Sequence, residues 1–212
     1  MARLKNGYLG GFSGRLGDAV GYMIGDEAFI RSAPRAKKYT AAERVNQDKF
    51  KLVTEHLKGI KPILKVGFKG YWTKTGGYRA AVSYTRKVAL VMDDAGFYID
   101  PALFKISGGD LPGAENAEVV YEESLRLRIN WDISNLQPRT HHDQLMLMVR
   151  ETESLESLAF GLNGPFRKDG TFVIDLRKSY KGKKLDVYIG FVAADRSRQS
   201  DSQYLGRIEI PA

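Results

Sequence analysis

A ladder of glycines opens the chain: Gly7, Gly10, Gly11, Gly14, Gly17, Gly21 and Gly25. Each interior glycine costs a helix about 1 kcal/mol against alanine, so this stretch is not read as helical. Its spacing is too short and irregular for a solenoid repeat. Leu9, Phe12, Leu16, Val20, Met23 and Ile24 lie between the glycines and need burial. The pattern reads as a bent, extended β-arm. Gly25-Asp26 turns a hairpin from residues 19–24 into 28–31, and Pro34 ends the pairing.

The next stretch is basic and helical. Arg31, Arg35, Lys37 and Lys38 form a run, and Thr40 with Glu43 has the spacing of a capping box. Phe50, Val53, Leu57, Ile60 and Leu64 then make one apolar stripe. Gly59 and Pro62 fall inside that pattern, so a kink or break is expected near 59–62. An aromatic loop with Tyr71 and Trp72 leads to a second helix over 78–91, with Ala81, Tyr84, Val88 and Val91 on one face. Asp93 to Gly96 close it, and the two helices are expected to pair as a hairpin.

From Phe97 onward the period changes to two. An extended segment starts at 98–106, and the turn-rich connector Ser107 to Gly113 comes after it. Strands are expected at 117–122, 125–132, 144–150, 157–162, 171–176, 184–193 and 203–210. Leu125, Leu127, Ile129 and Trp131 alternate cleanly, as do Leu185, Val187, Ile189 and Phe191. The fold class is therefore α+β: a glycine-rich β-arm and helical hairpin over 1–96, then a seven-stranded antiparallel β-sandwich over 97–212.

The last hundred residues resemble a fibronectin type III or immunoglobulin-like sandwich. Trp131 closes the second strand, Tyr188 lies in the sixth and Ser200 to Ile210 resemble the last. That resemblance implies a spacing or adhesion module without chemistry. The whole chain resembles a domain-of-unknown-function family found in Bacteroidota. Gly10-Gly-Phe-Ser-Gly14, Gly17, Gly21, Ile30-Arg-Ser, Pro34, Arg44 to Phe50, Gly67-Phe68, Ala81-Val-Ser83, Ser107 to Gly113 and Tyr204-Leu-Gly206 carry it. It implies no established activity or catalytic residue.

Composition narrows the chemistry. There is no cysteine, which removes disulfides, thiolate catalysis and cysteine zinc ligands. No apolar run reaches membrane-span or signal-peptide length, so a cytoplasmic protein, or one released with a particle, is expected. Net charge is +8, and residues 1–87 hold 18 Lys and Arg against 6 Asp and Glu. Such a field attracts phosphate polymers or an acidic protein surface.

Catalytic constellations fail on spacing. Gly11-Phe-Ser-Gly14 lacks the glycine two residues after the serine that a nucleophile elbow needs. No Gly-Lys-Ser/Thr completes a phosphate loop. Gly14-Arg-Leu-Gly17 matches the KH loop but lacks flanking helices. His141, His142 and Asp143 are adjacent, so their side chains diverge, and His56 is distant. Asp93-Asp94 and Glu122-Glu123 read as surface turns or strand ends.

Two binding roles remain. Leu9, Gly10, Gly11, Phe12, Gly14, Leu16, Gly17, Val20 and Gly21 form an arm suited to strand addition between subunits. The leading expectation is a non-catalytic homo-oligomer assembled through that arm, with no cofactor, metal, membrane or small-molecule substrate. The second is sequence-independent nucleic-acid binding by Arg31, Arg35, Lys37, Lys38, Lys49, Lys51, Lys58 and Lys61, with Trp72 as a stacking platform. Against the second stands the simpler reading that the aromatics pack the helices and the lysines are solvated.

Overall fold

A computed structural model of the chain describes residues 3–4, 10–24, 27–34, 38–70, 76–160 and 164–212. The chain divides into two compact units, Met1–Arg44 and Val45–Ala212. The fold is α+β, and the described strands pair with one another antiparallel.

The first unit holds one sheet in sequential order: β1 Arg3–Leu4, β2 Phe12–Leu16, β3 Ala19–Ile24 and β4 Glu27–Ser32. Gly17 sits at φ +57° in the two-residue loop between β2 and β3. That left-handed conformation suits glycine and sets the twist of a tight hairpin. Gly21 is needed for a different reason: a Cβ there would lie 2.6 Å from the Phe12 ring. The expected hairpin pairs from Ala19↔Ser32 to Ile24↔Glu27. Its turn, Gly25-Asp26, lies outside the described residues, as do Leu9, Arg35, Lys37 and Trp72.

The helix α1, Ala41–His56, starts with reciprocal capping. Glu43 Oε2 accepts from the Thr40 N–H at 2.9 Å, and the Glu43 N–H donates to Thr40 Oγ1 at 3.2 Å. The expected break is a 3-10 turn at Lys58–Ile60. Pro62 then falls in the first turn of α2, Lys61–Gly67, where its missing N–H costs nothing. Val53, Leu57, Ile60 and Leu64 are buried as the stripe requires, but Phe50 is half exposed.

The second helix is shorter than expected. α3 spans Gly77–Tyr84, a π turn covers Thr85–Ala89, and Val91 belongs to a strand. β5 Leu90–Asp93 and β6 Gly96–Ile99 form a hairpin with Val91 opposite Tyr98. Asp93 Oδ1 accepts the N–H groups of Ala95 and Gly96, and Gly96 adopts φ +127°. The acidic-glycine segment is thus a hairpin turn, not a helix stop. The extended segment from Tyr98 ends at Ile99 rather than 106, because Asp100 starts a turn by accepting the Ala102 N–H.

Seven further strands complete the chain: β7 Glu115–Glu122, β8 Arg126–Asp132, β9 Gln144–Glu151, β10 Ser157–Phe160, β11 Thr171–Asp175, β12 Lys184–Val192 and β13 Gln203–Glu209. They form a four-stranded sheet, β10-β9-β12-β13, and a three-stranded sheet, β11-β8-β7. Leu127, Ile129 and Trp131 share one buried cluster with Leu147, Val187, Ile189 and Phe191. A second cluster covers the other face of the four-stranded sheet. There Met146, Met148 and Tyr188 pack with Val53, Leu57, Leu64, Phe68 and Phe104. The expected boundary at 96/97 falls within the second unit, Val45–Ala212. From Val45 onward the helices lie in the same unit as the sheet and bury their stripe on it. Among the described residues no helix is long and apolar enough to cross a membrane.

Candidate functional site

The N-terminal sheet exposes much of its apolar content. Leu16, Ile24 and Ile30 are 63%, 62% and 68% exposed. Every residue of β4 is exposed, and only Gly21 is buried along β2 to β4. The expected arm residues occupy this sheet: Gly10, Gly11, Phe12 and Gly14 are half-buried, Leu16 and Gly17 are exposed, and Val20 is half-buried on β3. A Cβ on Gly11 would lie 2.3 Å from that of Ala28, so glycine there lets the chain approach β4. Tyr22 and Phe29 stack at 5.6 Å, and the Arg31 guanidinium lies 6.0 Å from the Tyr22 ring.

The expected basic residues are spread out. Arg31 and Lys38 are exposed in the first unit. In the second, Lys49 sits 4.3 Å from the Phe97 ring centre, Lys51 lies 4.0 Å from Glu55, Lys61 sits 5.2 Å from the Tyr78 ring, and Lys58 is exposed on the 3-10 turn. A better-focused basic face was missed by sequence reasoning. Lys51, Arg79 and Arg86 line two adjoining hollows around the exposed Phe50. Arg79 and Arg86 are seven residues apart, a spacing that could have flagged them had the second helix been read for charge as well as for its apolar face.

A third feature had no sequence signal. A cleft of about 510 Å³ lies between α1, the β5–β6 hairpin and the four-stranded sheet. At its floor Arg150, Asp186 and Arg207 stand opposite one another on β9, β12 and β13. Arg207 holds both Asp186 oxygens, at 2.9 and 3.0 Å, and the Tyr204 hydroxyl donates to the same carboxylate at 2.7 Å. Arg150 is buried and donates to the His56 carbonyl. Its Nε and Nη1 have no hydrogen-bond partner among the described residues. Burial lowers the Arg150 pKa to about 10, which leaves it charged at neutral pH. Burial, and then the Arg150 charge, lower His56 to about 3, so its imidazole is neutral. Burial and the neighbouring Asp186 raise Tyr188, whose hydroxyl donates to the Pro101 carbonyl at 3.0 Å.

The remaining candidates are placed apart. Asp143 is buried 3.3 Å from Arg167, while the His142 ring packs edge-on against Phe166. Arg167 also donates to the carbonyls of Gly113 and Pro112, both at 2.7 Å, which ties the connector to the sheets. Glu122 pairs with Arg128. No group of His, Asp and Glu suited to a metal occurs among the described residues.

The chain belongs to a known sequence family. The family model for DUF6266, a family of unknown function, matches residues 11–206, and the chain is a member of it. No curated protein is matched. Two solved structures similar to part of the chain are a myokine structure and the twitchin kinase region from C. elegans. The first is 10% identical with a TM-score of 0.36, over 49% of this chain and 100% of that one. The second is 14% identical with a TM-score of 0.34, over 47% of this chain and 17% of that one.

Proposed function

We propose that this chain is a non-catalytic structural protein that self-assembles through its N-terminal sheet. One observation carries the reading: among the described strands β4 is a sheet edge, exposed at every position, with Phe29 and Ile30 among its side chains. Open apolar edges pair with other strands unless charge, proline or a cover blocks them. The glycine arm of residues 10–21 supplies the strands behind that edge. We further read the four- and three-stranded sheets as a fibronectin type III-like seven-stranded sandwich. The strand orders β10-β9-β12-β13 and β11-β8-β7 support this, with chain crossings between sheets at β8–β9, β10–β11 and β11–β12. Such a module spaces or presents the assembly.

The test is light scattering on the untagged full chain after size-exclusion chromatography at low salt, with absorbance read at 260 and 280 nm. The expected mass exceeds one chain and rises with concentration. Changing Ile24 and Ile30 together to Lys should return it to one chain. A single-chain mass for the unmodified protein at every concentration overturns the reading.

A second reading, sequence-independent nucleic-acid binding, is favoured by the basic face around Phe50. It predicts co-eluting 260-nm material that salt removes. For Arg79→Ala with Arg86→Ala, the slope of log K against log salt should flatten by about 0.9 per lost phosphate contact on duplex DNA.

A further inference from the structure

We infer that the partner of β4 is the same strand of a second copy, paired antiparallel about a two-fold axis at Phe29. This rests on the self-assembly reading and names its interface. The β4 backbone sets the first constraint. The Ala33 N–H donates to the Asp18 carbonyl at 2.7 Å, one step beyond the Ala19↔Ser32 pair. Antiparallel ladders alternate hydrogen-bonded and non-hydrogen-bonded pairs. The N–H and C=O groups of Glu27, Phe29 and Arg31 therefore face β3. Those of Ala28, Ile30 and Ser32 face the open edge.

Two copies can share that edge only in registers that bring open groups together. With the axis at Phe29, Ala28 exchanges both backbone hydrogen bonds with Ile30 of the other copy. Phe29 then meets its own copy in a non-hydrogen-bonded pair, the closer of the two pair types.

Charge complementarity selects this register. It sets Glu27 opposite Arg31 of the other copy, twice, on the face that carries Phe29. Both residues are exposed, and neither has an ion-pair partner among the described residues. An axis at Ile30 would set Arg31 against Phe29 and leave Glu27 opposite Ala33. In-register parallel pairing would set Glu27 on Glu27 and Arg31 on Arg31, and like charges directly opposite are destabilising. The chosen register also continues the Tyr22–Phe29 stack, at 5.6 Å within one copy, across the axis. Among the described residues the opposite edge, β1, spans Arg3–Leu4 and offers no comparable ladder.

The test uses the full chain and two readouts. The protein has no cysteine, so one introduced thiol reports its own neighbours. Phe29→Cys should form a covalent dimer on mild oxidation, and Leu16→Cys, also exposed but on β2, should not. In light scattering, Glu27→Arg and Arg31→Glu should each lower the mass to one chain, and the double variant should restore it, because the pair is re-formed with reversed sign. If the unmodified chain associates but Phe29→Cys does not cross-link ahead of Leu16→Cys, or the double variant fails to recover, the interface is overturned while self-assembly stands. If the unmodified chain is a single chain at every concentration, both fall.

Discussion

Two buried arginines show how differently one residue type is used. Arg167 donates to the carbonyls of Gly113 and Pro112, sits 3.3 Å from the buried Asp143 as an ion pair, and has its guanidinium 3.8 Å from the Phe191 ring centre, with Nε alone left without a hydrogen-bond partner among the described residues. Arg150 has the His56 carbonyl and two nitrogens left over. Its charge falls beside a histidine that must stay neutral. Unfolded, His56 takes up a proton near its ordinary pKa of 6.5; folded, it does so only near about 3. Above 6.5 the two states carry the same charge there. As pH falls below 6.5 the unfolded state gains a proton that the fold refuses, so stability is lost down to about 3. Across that window the native protein should lose up to about 1.4 kcal/mol per pH unit more than His56→Gln. Urea midpoints at pH 7.5, 5.5 and 4.5 measure it, and equal slopes for the two proteins would refute the assignment.

At the scale of elements, two glycines in the helical region carry opposite expectations. Gly67 ends α2 against the connector, and a Cβ there would lie 2.1 Å from the Ile106 carbonyl oxygen and 2.8 Å from Ser107 Cβ. Backbone blocks relief, so Gly67→Ala should cost about 2 kcal/mol. Gly59, in the 3-10 turn, has nothing within 4 Å of its missing Cβ. Gly59→Ala should stabilise by about 0.5 kcal/mol through the unfolded chain. Denaturant midpoints with unchanged m-values check both, and an inversion of their order would refute the packing argument. The strands were legible because their apolar residues alternate: Leu127, Ile129 and Trp131 are buried as the period of two demands. The end of the second helix was not, because Val88 and Val91 continue a helical spacing while local chemistry at Asp93 and Gly96 favours a hairpin. Burial of both faces of β12 was also hidden: Asp186 and Tyr188 alternate with its apolar residues, and Asp186 is covered by Tyr204 and Arg207 while Tyr188 packs against Phe104 and Tyr204. The cleft was illegible for a related reason. Arg150, Asp186 and Arg207 are far apart in sequence and meet only through strand register. That residues 12–16 and 19–24 are extended rather than helical was legible in the glycine spacing. The open edge was not, because β4 reads as the return of a hairpin and its residues do not show which side of it stays unpaired.

For the whole molecule, every residue of the two buried clusters lies at position 52 or beyond. The described core of the second unit is thus built from that unit's own residues. Removing residues 1–38 keeps Thr40 and Glu43, so α1 retains its cap. The shortened chain should unfold cooperatively, with a thermal midpoint within about 4 °C of the full chain, the shift that about 1 kcal/mol makes in a domain of this size. It should also have the mass of one chain in light scattering. The two readings separate the alternatives. A stable truncated chain that still associates would move the assembly surface onto the second unit. A truncated chain without a cooperative transition would show that the N-terminal sheet supports the fold rather than joining copies of it. A stable single chain is the expected outcome if a sheet with one buried residue along β2 to β4 gains its burial from another molecule.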